Sequence, residues 1–107
     1  MKRYYVYMLE CADGSFYVGI TNDVERRLGQ HQDGWDPRAY THERRPVRLV
    51  HVSDFAEVLQ AIAWEKQLKG WSRAKKRALV SGNWSLVMQK AKRRGGAQRA
   101  PRERRYP

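Results

Sequence analysis

The alternation of hydrophobic and polar residues predicts a small sheet at the start of the chain. Apolar and polar positions alternate from Tyr4 to Glu10 and from Ser15 to Ile20, on either side of Asp13-Gly14, and this pattern is typical of a β-hairpin. A third segment, Val47 to Val52, is rich in β-branched residues and predicts a third strand. Together with the helical segments around it, the pattern predicts an α+β fold in which a small three-stranded antiparallel sheet is flanked by helices.

The first helix is predicted directly after the hairpin. Asn22 followed by Glu25 matches a capping box, in which the side chain at the helix start bonds to a backbone amide three residues later. The helical pattern continues to about Gln32, and Gly34 is a typical residue just past a helix end. The hairpin and this helix are therefore expected to be neighbours in the fold.

The later helices carry similar signals at their ends. Asp54 and Glu57 predict the start of a second helix, which Gly70 ends. Ser72 then opens a third helix, and a fourth helical stretch is predicted over residues 83–94.

The hairpin turn decides whether two of its tyrosines can act together. A two-residue turn at Asp13-Gly14 would place Tyr7 and Tyr17 on opposite faces of the sheet, because side chains alternate along a strand. A three-residue loop, with Gly14 in the left-handed conformation, would place both on one face and set Tyr7 opposite Gly19. Both turns remain open from the sequence.

Helical spacing also places charged and titratable side chains among core positions. Arg27 and His31 are spaced with Leu28 and the apolar residues of the first helix, and Glu65 lies four residues after Ala61 on the second. Buried charges without partners are costly, so each of these groups is expected to have one. Two interpretations follow: a structural ion pair between Arg27 and Glu65, or a functional site.

The positive charge is concentrated at the end of the chain. The formal net charge is +11, of which residues 1–89 contribute +4 and residues 90–107 contribute +7. This distribution divides the chain into a compact domain over residues 1–82, a C-terminal helix over 83–94 and a disordered basic tail over 95–107. A polyanion is the expected partner, and nucleic acid is favoured over a membrane surface or a tail that only aids solubility.

Cysteine usage and hydropathy limit the class of protein. Cys11 is the only cysteine, so a disulfide framework is excluded and a reducing compartment is expected. Glu10 interrupts the first apolar run before a signal peptide could form, and no stretch of the sequence has transmembrane length. A cytoplasmic location and no membrane partner are the resulting expectations.

Several of these residues form an ordered set that resembles a known family. The triplets YVY (residues 5–7) and YVG (17–19), followed by Arg27, His31 and Glu65, resemble the motifs of the GIY-YIG nuclease domain over residues 4 to about 80. The segments PRAYTHERRPVRLV and EKQLKGWSRAKK are most similar to short bacterial stand-alone proteins of that family. The strand and helix order predicted above agrees with the fold that the resemblance implies.

The resemblance implies a role for each matched residue. Tyr7 would take a proton from the attacking water, and Tyr17 would position that water or the phosphate. Arg27 would hold the scissile phosphate, His31 would assist, and Glu65 would bind one divalent metal, Mg²⁺ or Mn²⁺. A tyrosine with its ordinary pKa near 10 is a poor base at neutral pH unless its surroundings help, so the identity of the base is the least defined of these roles.

The chain also departs from the family pattern. Tyr5 stands where the first triplet of the family has its glycine. The late asparagine common in the family has no aligned match, since Asn83 is a candidate only by its position near the expected end and a helix cap suits it better. No second DNA-binding domain is expected after the catalytic core. Target choice would then come from a loop, from the tail or from a protein partner.

The segment between the first helix and the third strand is a candidate contact surface for nucleic acid. It interleaves aromatic residues, which can stack on bases, with arginines, which can bind phosphates. Its aromatics could equally fold back onto the sheet. The candidate contacts, including two lysines of the third helix, are Arg38, Tyr40, Arg44, Arg45, Lys75 and Lys76.

The combined expectation is a divalent-metal-dependent endonuclease that hydrolyses phosphodiester bonds in nucleic acid. The resemblance implies DNA of repair or recombination type as substrate. The alternative is a non-catalytic nucleic-acid-binding or ribosome-associated module that keeps the fold and the basic tail.

Overall fold

The computed structural model describes residues 2–82 and the backbone of residues 103–104. The described elements are β1 (Tyr4–Glu10), β2 (Phe16–Thr21), α1 (Val24–Asp33), a short 3-10 helix (His42–Arg44), β3 (Arg48–Phe55), α2 (Val58–Lys69), α3 (Arg73–Ser81) and β4 (Glu103–Arg104). Over these residues no helix is both long and apolar enough to cross a membrane.

The predicted sheet is confirmed. β1 lies at its centre and pairs antiparallel with both β2 and β3. The two-residue β4 pairs antiparallel with β3, so the described strands have the order β2-β1-β3-β4. β4 falls within the predicted basic tail. The rest of that tail and the C-terminal helix predicted over 83–94 lie outside the described residues.

The hairpin has the three-residue loop. Gly14 has a φ of 83°, the left-handed conformation that glycine adopts without strain. The backbone amide of Cys11 donates to the carbonyl of Ser15 at 2.8 Å, which closes the hairpin one residue before the loop. Tyr7 therefore pairs with Gly19, and the two-residue alternative is excluded.

The first helix begins one residue later than predicted. Asp23, and not Asn22, is its N-cap, and its carboxylate accepts a hydrogen bond from the amide of Arg26 at 3.1 Å. Asp23 can do so because its backbone is extended and Thr21 Oγ1 accepts a hydrogen bond from its amide. Gly34, with a φ of 67°, ends the helix as expected.

The second helix also begins later than the cap pattern suggested. Asp54 belongs to β3, where it forms a 2.6 Å ion pair with Arg3, so it is not available as a cap. Glu57 stands at the N-cap position but makes no capping bond with its side chain. In α3 the prediction holds, because Ser72 accepts a hydrogen bond from the amide of Lys75.

The two faces of the sheet carry separate cores. On one face, Val6 and Met8 of β1 pack with residues of α2 and α3 such as Trp64 and Leu79. On the other face, Tyr7, Leu9 and Cys11 pack with α1 and with the start of β3. The tyrosines of the hairpin that face α1 are Tyr5, Tyr7 and Tyr17.

A bulge in β3 keeps the Tyr7 face continuous. The pairing of β1 with β3 shifts between Met8 and Leu9, which leaves Val50 as an extra residue. Leu49 and Val52 consequently lie on the same face although they are three residues apart, and Val52 pairs directly with Tyr7. Tyr7 thus sits in the middle of a filled layer, and its side chain is 1% exposed.

Candidate active site

A buried hydrogen-bonded chain of three side chains lies between β1 and α1. The Tyr7 hydroxyl is hydrogen-bonded to His31 Nε2 at 2.9 Å, and His31 Nδ1 is hydrogen-bonded to Thr41 Oγ1 at 2.7 Å. All three side chains are buried. The imidazole is therefore fixed at both nitrogens, and one of them faces the hydroxyl of a tyrosine.

Tyr17 borders this chain and is half-buried. Its ring centroid lies 6.2 Å from that of Tyr7 and 5.0 Å from that of His31. On its outer side the ring of Tyr40 stacks on it, with centroids 6.3 Å apart and an interplanar angle of 21°. Tyr7 and Tyr17, one from each triplet, therefore lie at one site, as the three-residue loop requires.

Arg27 reaches the same site from the surface. It was expected on the buried stripe of α1, but its side chain is exposed because the position lies at the rim of that stripe. Burial raises the pKa of Tyr7 well above its ordinary value of 10.0, and nearby Tyr17 adds to the rise, whereas the positive charge of Arg27 lowers it. The Tyr7 hydroxyl therefore keeps its proton at neutral pH.

His31 has the opposite tendency. Burial lowers the pKa of His31 below its ordinary value of 6.5, and the charge of Arg27 lowers it further. The imidazole is neutral at neutral pH, and one of its two nitrogens is free to accept a proton.

Gly19 leaves the space that the Tyr7 side chain occupies. A Cβ atom at Gly19 would lie 2.6 Å from Cζ of Tyr7 and 2.9 Å from Cε1, and closer still to the hydroxyl oxygen. The end of the tyrosine therefore lies directly over the backbone of β2, which stands at the edge of the sheet formed by the described strands. Only glycine permits this approach.

An open pocket of about 240 Å³ adjoins the hydrogen-bonded chain. The exposed Trp35 stands at its wall, and the backbone amide of Trp35 is held by the carbonyl of Gln30 at 3.0 Å. The lining residues are Tyr17, Arg27, Gln30, His31, Gly34, Trp35, Asp36, Ala39, Thr41 and His42.

Arg44 and Arg45 stabilise the loop to which they belong. Arg44 donates to Asp13 and to the carbonyl of Tyr40, and its guanidinium lies 3.8 Å from the centroid of the Tyr40 ring. Arg45 donates to the carbonyls of His42 and Gln32. Tyr40 is partly exposed, but its ring folds back and stacks on Tyr17, whereas Trp35 remains exposed. Each of the two interpretations of the loop aromatics therefore applies to one residue.

The other predicted contacts differ in exposure. Arg38 is exposed on the loop and faces solvent. Lys75 is only 3% exposed, because its aliphatic stem is buried and its ammonium lies 4.1 Å from the Trp71 ring centroid, so it does not present its charge to a nucleic acid. Lys76 is half-buried, and burial lowers its pKa.

Glu65 forms its ion pair within its own helix. It belongs to α2, whose inward side chains pack on the other face of the sheet, and its side chain is 15% exposed. Its carboxylate forms an ion pair with Lys69, one turn further along the helix, at 3.3 Å. In the part of the chain that the structure describes, the buried ion pair between Arg27 and Glu65 is not formed.

The donor set determines what kind of metal site the protein could offer. Residues 2–82 contain no group of three His, Cys, Asp or Glu side chains arranged to hold a metal ion. Glu65 is a partly accessible carboxylate with one oxygen turned to Lys69. A single hard oxygen ligand fits Mg²⁺ or Mn²⁺, because such ions keep several waters and complete their shell with substrate phosphate.

Sequence reasoning missed Thr41. The residue stands in an irregular loop, where neither strand nor helix periodicity identifies inward positions. Its contact with His31 spans ten residues and depends on the fold of the loop. No local signal in the sequence could have identified it.

The fold and the cluster of tyrosines, His31 and Arg27 indicate a protein that acts on phosphodiester bonds. A small α+β domain sets two tyrosines, an imidazole and a guanidinium around an open pocket, which is a set of groups suited to phosphodiester chemistry.

Comparison with known proteins identifies the family. The GIY-YIG catalytic domain matches residues 3–78, so the chain belongs to the GIY-YIG family. It is 47% identical to the UPF0213 protein BH0048 of Halalkalibacterium halodurans, over 74% of this chain and 83% of that protein. It is 41% identical to a UPF0213 protein of Syntrophus aciditrophicus, over 78% of this chain and 95% of the other.

A solved structure supports the same assignment. The solution NMR structure of protein EF2693 from E. faecalis is similar with a TM-score of 0.55 and 34% identity, and the match covers 80% of this chain and 90% of that one. Membership of the family implies nuclease activity, nucleic-acid binding and use of a divalent metal. The names of these relatives state no substrate.

Proposed function

We propose that the protein is a divalent-metal-dependent endonuclease that hydrolyses phosphodiester bonds in DNA. The observation that carries this proposal is the 2.9 Å hydrogen bond between the Tyr7 hydroxyl and His31 Nε2, beside Arg27 and an open pocket. The pocket is lined by His31, Tyr17 and Arg27, so solvent and substrate can reach the groups next to the buried Tyr7 hydroxyl.

Tyr7 and His31 together supply the base that Tyr7 alone cannot. Because its pKa is raised, the Tyr7 hydroxyl keeps its proton until the attacking water gives one up. As the water transfers a proton to the Tyr7 oxygen, the hydroxyl proton of Tyr7 passes to Nε2 of His31. The resulting hydroxide attacks phosphorus, and the bond to the leaving oxygen breaks.

Arg27 and Glu65 would offset the negative charge of the phosphate, Arg27 directly and Glu65 through a bound metal ion. Arg27 lies within reach of the Tyr7 hydroxyl and is exposed, so its guanidinium can donate to the non-bridging phosphate oxygens. Glu65 would hold the divalent ion, Mg²⁺ or Mn²⁺. When bound, such an ion neutralises charge on the phosphate and on the leaving oxygen.

Contacts outside the pocket would hold the substrate strand. Arg38 and Trp35 are exposed on the loop beside the pocket, where they can bind a phosphate and stack on a base. Residues 95–107 carry four arginines and one glutamate and would add contacts to phosphates that do not depend on sequence. Choice of a repair or recombination intermediate would require such contacts or a protein partner.

One observation favours the alternative of a non-catalytic nucleic-acid-binding module. Glu65 pairs with Lys69 and lies on the helix that packs on the far face of the sheet from Tyr7. A binding module would leave the carboxylate in that pair and need no metal.

Cleavage assays with paired tyrosine variants separate the two functions. The wild type should nick plasmid and oligonucleotide DNA when Mg²⁺ or Mn²⁺ is present and not when the metal is chelated. Tyr7→Phe should reduce the rate by roughly 10²- to 10⁴-fold, as loss of a general base does. Tyr5→Phe is the matched control, because Tyr5 lies on the same face two residues earlier and should leave the rate unchanged. Equal rates for the two variants would contradict the proposed role of Tyr7.

A further inference from the structure

We infer that Thr41 is a positioning residue whose hydroxyl holds His31 in the tautomer with hydrogen on Nδ1, so that Nε2 is left free to take the Tyr7 proton. The inference deepens the proposed function and rests on it for its effect on cleavage. It makes a claim about the imidazole that can be measured without any nuclease activity.

The donors and acceptors of the chain favour this tautomer. Of the two hydroxyls that contact the ring, that of Tyr7 is the stronger donor, because a phenol is far more acidic than an aliphatic alcohol, so its hydrogen is directed at an acceptor. His31 Nε2, at 2.9 Å, can be that acceptor only if it carries no hydrogen. The hydrogen of the neutral ring is then on Nδ1, and it is donated to Thr41 Oγ1 at 2.7 Å.

The opposite tautomer would block the proton transfer. If Thr41 donated to Nδ1, the hydrogen on Nε2 would point at the Tyr7 oxygen, and the ring could not accept from Tyr7. With the ring in that state, Tyr7 would lack the acceptor that makes it a base. The choice between two orientations of one buried hydroxyl would therefore decide whether Tyr7 and His31 can act together.

The loop fixes the place of the Thr41 hydroxyl. Thr41 is 1% exposed and stands directly before the 3-10 helix, where its carbonyl accepts a hydrogen bond from the amide of Arg44 at 2.9 Å. The amide of His42 donates to the carbonyl of Ala39, and Arg45 donates to the carbonyl of His42. Thr41 thus belongs to a folded turn and does not rely on His31 for its position.

The tautomer can be read from the ¹⁵N shifts of the imidazole nitrogens, because a nitrogen that carries hydrogen is well separated from one that does not. His31, His42 and His51 are the only histidines of the chain, and single substitutions of the latter two assign the His31 signals. We expect Nδ1 to carry the hydrogen in the wild type. A hydrogen on Nε2 would overturn the inference.

Two substitutions test the role of the hydroxyl. Thr41→Val keeps the shape of the side chain but removes the acceptor, so the hydrogen should move to Nε2 and kcat should fall by roughly 10- to 100-fold, a typical effect for a group that orients another. Thr41→Ser keeps the hydroxyl and should retain both the tautomer and most of kcat. A Thr41→Val protein with an unchanged tautomer and unchanged kcat would overturn the inference.

Ser53 provides a matched control in the other core. Its hydroxyl is hydrogen-bonded to Nε2 of His51 at 2.9 Å, and both residues are fully buried on the α2 face. Ser53→Ala also removes a buried hydroxyl beside a histidine, but it should leave the His31 tautomer and kcat unchanged. If Ser53→Ala lowered kcat as much as Thr41→Val, general destabilisation would explain both, and the inference would fail.

The same measurements separate failure of this inference from failure of the proposed function. If no DNA is cleaved under any metal condition, but His31 carries its hydrogen on Nδ1 and loses it there in Thr41→Val, the nuclease proposal fails and the positioning role stands. If DNA is cleaved and the hydrogen is on Nε2, the nuclease proposal stands and the role of Thr41 is refuted.

Discussion

The close approach of Tyr7 to Gly19 can be tested by adding one methyl group. In Gly19→Ala the new Cβ would lie 2.6 Å from Cζ of Tyr7, well inside normal contact distance. Tyr7 cannot swing aside freely, because its side chain is 1% exposed and its hydroxyl is bonded to His31. The ring must shift within a filled layer, and overpacking of this kind costs about 1–3 kcal/mol.

Gly29 is the matched control for this substitution. It lies within α1, and a Cβ there would meet no atom within 4 Å. Alanine is a better helix former than glycine, so Gly29→Ala should stabilise the protein by roughly 0.5–1 kcal/mol. The same chemical change should thus have opposite signs at the two positions, with a difference of roughly 1.5–4 kcal/mol between them.

Thermal unfolding followed by circular dichroism measures both effects. For a domain of this size, 1 kcal/mol corresponds to roughly 4–8 °C in Tm, so Gly19→Ala should unfold well below the wild type and Gly29→Ala slightly above it. Cleavage by Gly19→Ala should fall about 100-fold at a temperature where it is folded, because the Tyr7 hydroxyl is displaced. If Gly19→Ala were as stable and as active as Gly29→Ala, the placement of Tyr7 over Gly19 would be refuted.

Three further predictions concern pH, the loop and the tail. Folding lowers the pKa of His31, so the unfolded chain binds a proton on this imidazole at a higher pH than the folded chain does. The free energy of unfolding should therefore fall as the pH drops below 6.5. His31→Asn should lose this part of the pH dependence, and an equal pH dependence in both proteins would contradict the prediction. Arg44→Met removes the cation–π contact with Tyr40 and the hydrogen bond to its carbonyl, so Tyr40 should leave its stacked position. DNA affinity, measured by fluorescence anisotropy, should fall by roughly 2- to 10-fold. An unchanged affinity would show that DNA binding does not depend on these two contacts. Deletion of residues 95–107 should weaken duplex binding and reduce the slope of log affinity against log salt by roughly 1–3, and an unchanged slope would show that the tail does not contact phosphate.

Local signals were sufficient for the hairpin and the sheet. The alternation around Gly14 defined both strands, but it left two turns open, and the structure contains the three-residue loop that a shared face for Tyr7 and Tyr17 needs. Ser72 was identified as a helix cap because the capping bond spans only three residues. In each case the deciding interaction lies within a few positions of the sequence.

Contacts between distant segments account for what the sequence could not show. Asp54 resembles a helix cap, but it lies in β3 and pairs with Arg3, 51 residues earlier in the chain. Lys75 is an exception, because it looks like a surface charge but its ammonium lies over the ring of Trp71, only four residues earlier. Thr41 acquires its partner, His31, only when the loop folds back on α1.

The ion-pair partner of Glu65 determines how much Glu65→Gln should change the stability of the protein. A buried pair with Arg27 would have made Glu65→Gln strongly destabilising, by about 3 kcal/mol or more. The observed partner is Lys69, one helical turn away and half exposed, and such pairs contribute only about 0.3–0.5 kcal/mol. Stability should therefore change little in this variant, so unfolding would not explain a loss of cleavage.

Metal-dependent nicking by Glu65→Gln is the most direct test of the proposed function. Glu57→Gln is its matched control, since Glu57 precedes the same helix and makes no capping bond with its side chain. We predict that wild type and Glu57→Gln nick plasmid DNA only with Mg²⁺ or Mn²⁺, and that Glu65→Gln does not nick it, although it binds DNA at least as tightly and unfolds within about 4 °C of the wild type. Nicking by Glu65→Gln at the wild-type rate, or no metal-dependent nicking by the wild type on plasmid, branched or single-stranded DNA, would contradict the account.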